Sequence, residues 1–146
     1  MATSLISVRI LGPDDSAVLG QVAAGVFDNA IDPRWSREFF ADPRHHLAVA
    51  LSGSTVVGMA SAVHYVHPDK PPELWINEVG VASSFRGQGI GRRLMEAMLA
   101  HGSALGCREA WVAADQSNMP ARRLYTAVGG TESTEPAVII SFDLGT

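Results

Sequence analysis

Apolar positions along this chain follow two rhythms, one of strands and one of helices. Leu5 to Leu11 alternates apolar and polar residues, the period of a half-buried strand. Leu47 to Leu51 and Val56 to Tyr65 are denser apolar runs joined by Ser52-Gly53-Ser54, which reads as a hairpin. Leu74 to Val81 is extended and apolar, broken by one acid, Glu78. Glu109 to Ala114, around Trp111, reads as a buried strand, and Val138 to Leu144 as a last strand. Helical spacing appears elsewhere. Gly12-Pro13-Asp14-Asp15 is a helix start, with proline in the first turn and acids at the positive dipole end, and the helix is expected to reach Val26 or Phe27. Asp32-Pro33 and Asp42-Pro43 frame a short helix over 34–41. Ile90, Leu94, Met98 and Leu105 recur at near-helical spacing, with Gly106 closing that helix. Asn118 caps a further one, with Pro120 in its first turn and Gly129-Gly130 at its end. Six strands are read in all. The order predicts an α/β (α+β) fold in one domain over 1–146, a mixed sheet with helices on both faces.

Composition narrows the class. A chain of 146 residues with 47% hydrophobic and 18% charged residues has enough material for a core without staples. No apolar run is long enough to span a bilayer, so no membrane association is expected. The start, Met1 to Ser7, lacks a basic region followed by a long apolar stretch, so no signal peptide is read. The single cysteine, Cys107, suits a reducing, cytoplasmic setting and reads as packing rather than nucleophile. No His or Cys cluster has zinc spacing, and His45-His46 on a strand point to opposite faces, so no metal is expected.

The net charge of −4 is unevenly shared. Residues 86–123 carry six arginines against three acids, a balance of +3, and the rest carries five bases against twelve acids, a balance of −7. An acidic remainder argues against nucleic acid as partner and suits a cationic substrate.

The basic region centres on Arg86-Gly87-Gln88-Gly89-Ile90-Gly91-Arg92, between an extended run and a helix. Glycines at alternate positions remove Cβ atoms that hold a ligand off the backbone. The first amides of the following helix lack intrahelical acceptors and sit at the positive end of its dipole. Strand, glycine turn and helix together make a seat for a pyrophosphate. The spacing is neither the dinucleotide fingerprint nor the Walker pattern.

Arg86, Gly89 and Gly91 resemble the Arg/Gln-x-x-Gly-x-Gly/Ala signature of the GNAT N-acetyltransferases. A second stretch, Asn118-Met119-Pro120-Ala121-Arg122-Arg123-Leu124-Tyr125 through Gly129, resembles that family's Asn-x-x-Ala-x-x-Leu-Tyr-x-x-x-Gly. Asn118 and Tyr125 lie two helical turns apart, on one face. The resemblance covers Leu47 to Gly129 well and the N-terminal third in outline. One departure is Gly130, where the family often has an aromatic and where looser packing is expected. The resemblance implies a mixed, mostly antiparallel sheet of six to seven strands and acetyl-coenzyme A as co-substrate. Val79, Gly80, Val81, Arg86, Gly87, Gln88, Gly89, Ile90, Gly91, Arg92, Asn118, Ala121 and Tyr125 are the implied coenzyme contacts. Asn118 is implied to meet the pantetheine arm, Val81 to pair with it, the Val79 amide to meet the thioester carbonyl, and Tyr125 to lie near the sulfur.

Acetyl transfer to an amine needs a neutral amine, a polarised carbonyl and a proton for the leaving thiolate. A primary amine is mostly ammonium at neutral pH, so a carboxylate can attract it and then take its proton. Glu78 is placed for this, and burial between Ile76 and Val79 is expected to raise its pKa; the alternative is a buried acid paired with an arginine. Tyr125, near its ordinary pKa, is the candidate general acid. Direct transfer is expected, since Cys107 lies far from the loop in sequence.

Within the family, Leu74 to Val81 and the ending Ile140-Ser141-Phe142-Asp143-Leu144 look like the aminoglycoside 3-N-acetyltransferases, which have aspartate where Glu78 stands. This likeness implies an aminoglycoside acceptor and antibiotic resistance, with Asp143 as a ligand for substrate ammonium groups. Asp28, Asp32 and Glu73 are further candidate acids at the entrance. The competing acceptors are another small amine, a polyamine or a peptide N-terminus. A non-catalytic acyl-coenzyme A sensor or toxin–antitoxin partner is the rival of another class, disfavoured by the joint presence of Glu78 and Tyr125. Small enzymes of this kind are commonly homodimers, which is the expected assembly.

Overall fold

The structure, a computed structural model, describes residues 5–145. Met1–Ser4, part of the stretch read as lacking a signal peptide, lie outside the described residues. Five strands form one sheet in the order of the chain: β1 (Ile6–Ile10), β2 (His45–Ser52), β3 (Thr55–Tyr65), β4 (Glu73–Val81) and β5 (Glu109–Val112). The first four pair antiparallel, and β5 joins β4 in parallel. Three helices accompany them, α1 (Pro33–Ala41), α2 (Ile90–Ala104) and α3 (Met119–Ala127).

Alternation of large and small residues gives the sheet two different faces. One carries Ala48, Ala50, Gly58, Ala60 and Ala62, a floor so low that α2 lies close against it. A Cβ on Gly58 would stand 3.1 Å from Leu94 Cδ1 and 3.2 Å from Ile90 Cγ2, so any larger residue there pushes the helix off. Leu94 and Met98 are fully buried in this layer. The other face carries Leu47, Val49, Val56 and Met59, packed against Leu11, Leu19 and Val26 with Phe39 and Phe40 of α1 alongside. Burying these side chains is the main stabilising term, each worth about 2 kcal/mol.

Two elements depart from expectation. The helix expected from Pro13 to Val26 or Phe27 shortens to one 3-10 turn, Ser16–Gly20. Beyond it the chain runs extended: Val56 N donates to Gln21 O and Ala23 N to Val56 O, both at 2.9 Å. Val18, Val22 and Val26 are β-branched and Gly25 takes φ +83°, so sheet pairing outcompetes a weak helix. At the other end, Val138–Leu144 forms no strand, so the sheet has five strands rather than six or seven among the described residues. With no strand laid along its outer edge among the described residues, β5 is exposed, and Trp111 is 44% accessible where a buried strand was expected. Gly130 does not loosen its surroundings. Its amide donates to Tyr125 O at 2.9 Å, and a Cβ there would press on that carbonyl at 2.8 Å.

The feature that builds the site is a bulge in β4. Ala62 opposes Ile76 but Ser61 opposes Glu78, leaving Asn77 as an extra residue. Leu74 and Ile76 point to the α2 face; after the bulge that face is taken by Val79 and Val81. Glu78 and Gly80 are thereby turned to the opposite face.

Candidate active site

The bulge also ends the partnership of β4 with β5, whose last register pair is Ile76 with Val112. From Asn77 to Val81, β4 has no second strand neighbour among the described residues. Instead a cavity of about 770 Å³ opens there. Asn77 to Val81 form one wall, Asn118, Pro120, Ala121, Leu124 and Tyr125 at and along α3 another, and Phe85, Arg86, Gly87, Gly89, Ile90 and Gly91 the end. Gly25, Val26 and Asp28 close it on the side that Glu78 faces.

The glycine turn is shaped as its sequence requires. Gly87 and Gly89 adopt φ +75° and +76°, left-handed values that residues with a Cβ rarely take. Gly89 is the N-cap of α2, and its carbonyl accepts from Arg93 N at 3.1 Å, so the amides of Ile90, Gly91 and Arg92 have no acceptor within the helix. Gly91 serves packing: a Cβ there would meet Leu124 Cδ2 at 3.3 Å, which lets α3 close over the helix start. Arg86 Nε donates to Val81 O at 3.1 Å, tying the turn to the end of β4. A diphosphate fits such a cradle, since its two charges meet free amides, a positive dipole end and Arg86.

On α3, the Asn118 side chain accepts from Ala121 N at 3.2 Å, which satisfies one orphan amide and leaves its own NH₂ free to donate. Tyr125 is half-buried, and desolvation raises its pKa above the ordinary value instead of leaving it unchanged. The hydroxyl therefore keeps its proton at neutral pH and can donate a hydrogen bond.

Glu78 is exposed to the cavity rather than buried between Ile76 and Val79, because the bulge turned it off the core face. Its pKa is nevertheless raised, first by partial desolvation and then by the negative charge of Asp28. No arginine pairs with it, and no hydrogen bond to its carboxylate occurs among the described residues. Asp28 reaches the cavity because the chain at Val26 crosses directly over Gly80. A Cβ on Gly80 would overlap the Val26 carbonyl, so glycine is needed for the crossing.

Thirteen sequence-predicted residues meet in this one cavity: Asp28, Glu78, Val79, Gly80, Val81, Arg86, Gly87, Gly89, Ile90, Gly91, Asn118, Ala121 and Tyr125. Five do not line it. Gln88 turns back to Ser84 O at 3.4 Å, and Arg92 pairs with Glu96 at 2.8 Å along α2. Glu73 lies at the far end of β4, where its carboxylate accepts from Tyr65 Oη at 2.9 Å and meets His67 Nε2 at 3.1 Å. Asp32 caps α1 through Arg34 N at 2.9 Å. Asp143 belongs to the exposed C-terminal segment, so the ending that carried the likeness to 3-N enzymes stands apart from the cavity. Cys107 does not line it either, and burial raises its thiol pKa. Gly25, Val26, Met59, Asn77, Phe85, Pro120 and Leu124 were not anticipated. Leu124 was readable from its place three residues after Ala121 on the α3 face, whereas Val26 and Met59 arrive from distant elements and carry no local signal.

A mixed sheet whose fourth strand loses its neighbour beside a glycine-turned helix start defines an acyl-coenzyme A-type transferase architecture. The chain belongs to the Acetyltransferase (GNAT) family, whose model matches residues 18–129. It is an N-acetyltransferase by that membership and by its relatives. It is 28% identical over 131 residues to the N-alpha-acetyltransferase RimI of Mycobacterium tuberculosis (strain ATCC 25618 / H37Rv), covering 87% of this chain and 79% of the relative. It is 30% identical over 147 residues to the mycothiol acetyltransferase of Frankia alni (strain DSM 45986 / CECT 9034 / ACN14a), covering 88% of this chain but only 44% of that longer protein. Among solved structures, an aminoglycoside acetyltransferase from an uncultured soil metagenomic sample, in complex with trehalose, superposes with a TM-score of 0.80 at 20% identity, over 96% of this chain and 97% of that one. Aminoglycoside N-acetyltransferase AAC(6')-Iy in complex with CoA gives 0.75 at 22% identity, over 98% and 97%. At these identities the structural likeness is one of fold. Acetyltransferases of this family use acetyl-coenzyme A, and the cradle of free amides fits its diphosphate.

Proposed function

We propose that this enzyme acetylates a primary amine of a small polycationic acceptor, an aminoglycoside, by direct transfer in a ternary complex. The observation that carries this reading is the unpaired Glu78 carboxylate beside Asp28 at the open end of the glycine-cradle cavity. Two acids without cationic partners favour an acceptor that brings more than one positive charge. The acidic balance of the chain outside 86–123 attracts the same kind of substrate, and the fold neighbours that act on aminoglycosides add support.

Acetyl-coenzyme A, when bound, supplies the acetyl thioester. Arg86 and the amides at the start of α2 would hold its diphosphate, and the free edge of β4 with Asn118 would take the pantetheine arm. Glu78 attracts the acceptor ammonium and takes its proton, and its raised pKa brings it nearer the range of a working base. The Val79 amide is assigned to the developing oxyanion. Tyr125, protonated at neutral pH, donates to the departing sulfur.

A second reading, acetylation of a peptide N-terminus, is favoured by the sequence likeness to RimI. Coenzyme A release, followed with a thiol reagent against aminoglycosides, polyamines and short peptides, separates the two. Turnover with aminoglycosides is the expected result, and mass and NMR analysis of the product then tells 3-N from 6'-N acetylation. Release with peptides alone transfers the assignment to the second reading. Tight coenzyme binding with no turnover on any of these amines overturns both acceptor readings.

A further inference from the structure

Trp75 and Trp111 stand side by side on a part of the sheet that no helix layer covers among the described residues. They are register partners in the parallel pairing of β4 with β5. Leu74, Ile76 and Val112 belong to the layer under α2, so alternation turns both indoles to the opposite face. There the layer beside α1 draws its strand residues from β2 and β3 and takes none from β4 or β5. Trp75 stays partly exposed and Trp111 more so. Indoles paired in this way at an open sheet surface mark a place for a ligand.

The indole pair runs directly into the candidate active site. The bulge sets two consecutive residues, Asn77 and Glu78, between Ile76 and Val79, which both pack toward α2, so Asn77 and Glu78 share the face of Trp75. Asn77 and Glu78 line the cavity, and Trp75 comes next along the same side. At the far end of the pair, Glu73 and Glu109 are again register partners. Tyr65 and His67 hold the Glu73 carboxylate, whereas Glu109 is exposed and enters no ion pair among the described residues. Along β4 this surface reads acid, amide, indole, acid, over roughly 15 Å.

We propose that the face of Trp75 and Trp111 is the outer acceptor subsite, a floor for the further rings of a cationic amino sugar while one of its amines reacts at Glu78. The inference rests on the aminoglycoside reading of the acceptor and extends it. An indole face is negative, so it attracts ammonium groups and the slightly positive C–H bonds of a saturated ring alike. An aminoglycoside presents both. Glu109 meets an ammonium at the far end, and the length of the surface suits a chain of rings, not a compact amine.

Emission from these two indoles reports occupancy once the third tryptophan is removed as Trp35→Phe. With coenzyme A bound, so that no acetyl group is transferred, kanamycin should shift that emission in a saturable way. Trp111→Leu in the same background should weaken kanamycin binding by calorimetry about tenfold, and Trp111→Tyr less, as the loss of a cation–π contact requires. In turnover the loss should fall on KM for kanamycin rather than on kcat. Should Trp111→Leu misfold, Trp111→Tyr and Glu109→Gln carry the comparison, each weakening kanamycin binding by a smaller factor. Kanamycin that is acetylated without moving the emission overturns this inference and leaves the acceptor reading standing. So does an unchanged kanamycin affinity in the folded variants. Kanamycin that neither binds nor reacts overturns both.

Discussion

His46 Nε2 lies 2.7 Å from His64 Nδ1 beneath α2, and the other nitrogen of His46 lies 3.0 Å from His101 Nε2. Three imidazoles from β2, β3 and α2 thus form one hydrogen-bonded row with the middle ring 6% exposed. Each contact needs one donor and one acceptor, which three neutral rings satisfy when both hydrogen bonds run the same way along the row, in either direction.

Burial, with the charges of His101 and His64, lowers the pKa of His46 to about 4, while His45 and Asp42 act on it more weakly in opposite senses. The folded state therefore resists a proton that the unfolded chain accepts near pH 6.5. Stability is unaffected above the unfolded value and is lost as pH falls through the window from 6.5 to about 4, by at most about 3 kcal/mol. Melting temperatures across that window should fall, and fall less in His46→Gln. A melting temperature unchanged through the window contradicts a neutral buried row.

Glu78→Gln should lower kcat by roughly 100-fold or more while leaving acetyl-coenzyme A affinity unchanged, as the loss of a general base requires. Asp28→Asn removes a charge that raises the Glu78 pKa, so the acid limb of kcat/KM should move to lower pH. A pH profile identical in the two proteins separates Asp28 from the base.

Tyr125→Phe should cost less than Glu78→Gln, because water can protonate a departing thiolate when the hydroxyl is gone. Single-turnover rates with a fixed acceptor compare the two directly. A larger loss in the Tyr125 variant reverses the assignment of the dominant proton transfer.

Gly80→Ala should lower stability by about 1–3 kcal/mol, since the new methyl must push back the Val26 backbone. The displaced segment carries Asp28, so KM for the amine should rise more than KM for the coenzyme. Equal changes in both constants imply a general loss of structure instead.

Gly89 tests the cradle, for its φ of +76° has open space around the Cβ position and only backbone strain opposes substitution. Gly89→Val should weaken coenzyme binding measured by calorimetry, and Gly89→Asn should do so less, because Asn tolerates the left-handed region better. Equal affinities across the three proteins remove the turn from the coenzyme site.

Much of this architecture was legible in residue order because its causes are local. Alternation in Ile6–Ile10, the dense apolar run of Thr55–Tyr65, the Asn118 and Asp32 caps and the glycines at 87 and 89 act within a few residues of themselves. The candidate coenzyme seat inherits that legibility, being one turn and two helix starts. What tertiary structure alone decided is which way Glu78 faces and what stands beside it. The bulge at Asn77 depends on pairing with Ser61 and Ala62, and it reverses the face that simple alternation assigns. The same distance in sequence hid the crossing of Val26 over Gly80, the capture of Glu73 by Tyr65 and His67, and the histidine row. Val138–Leu144 carries a strand's rhythm yet forms no strand, because a strand is completed only by an edge with free hydrogen bonds and a local rhythm cannot supply one.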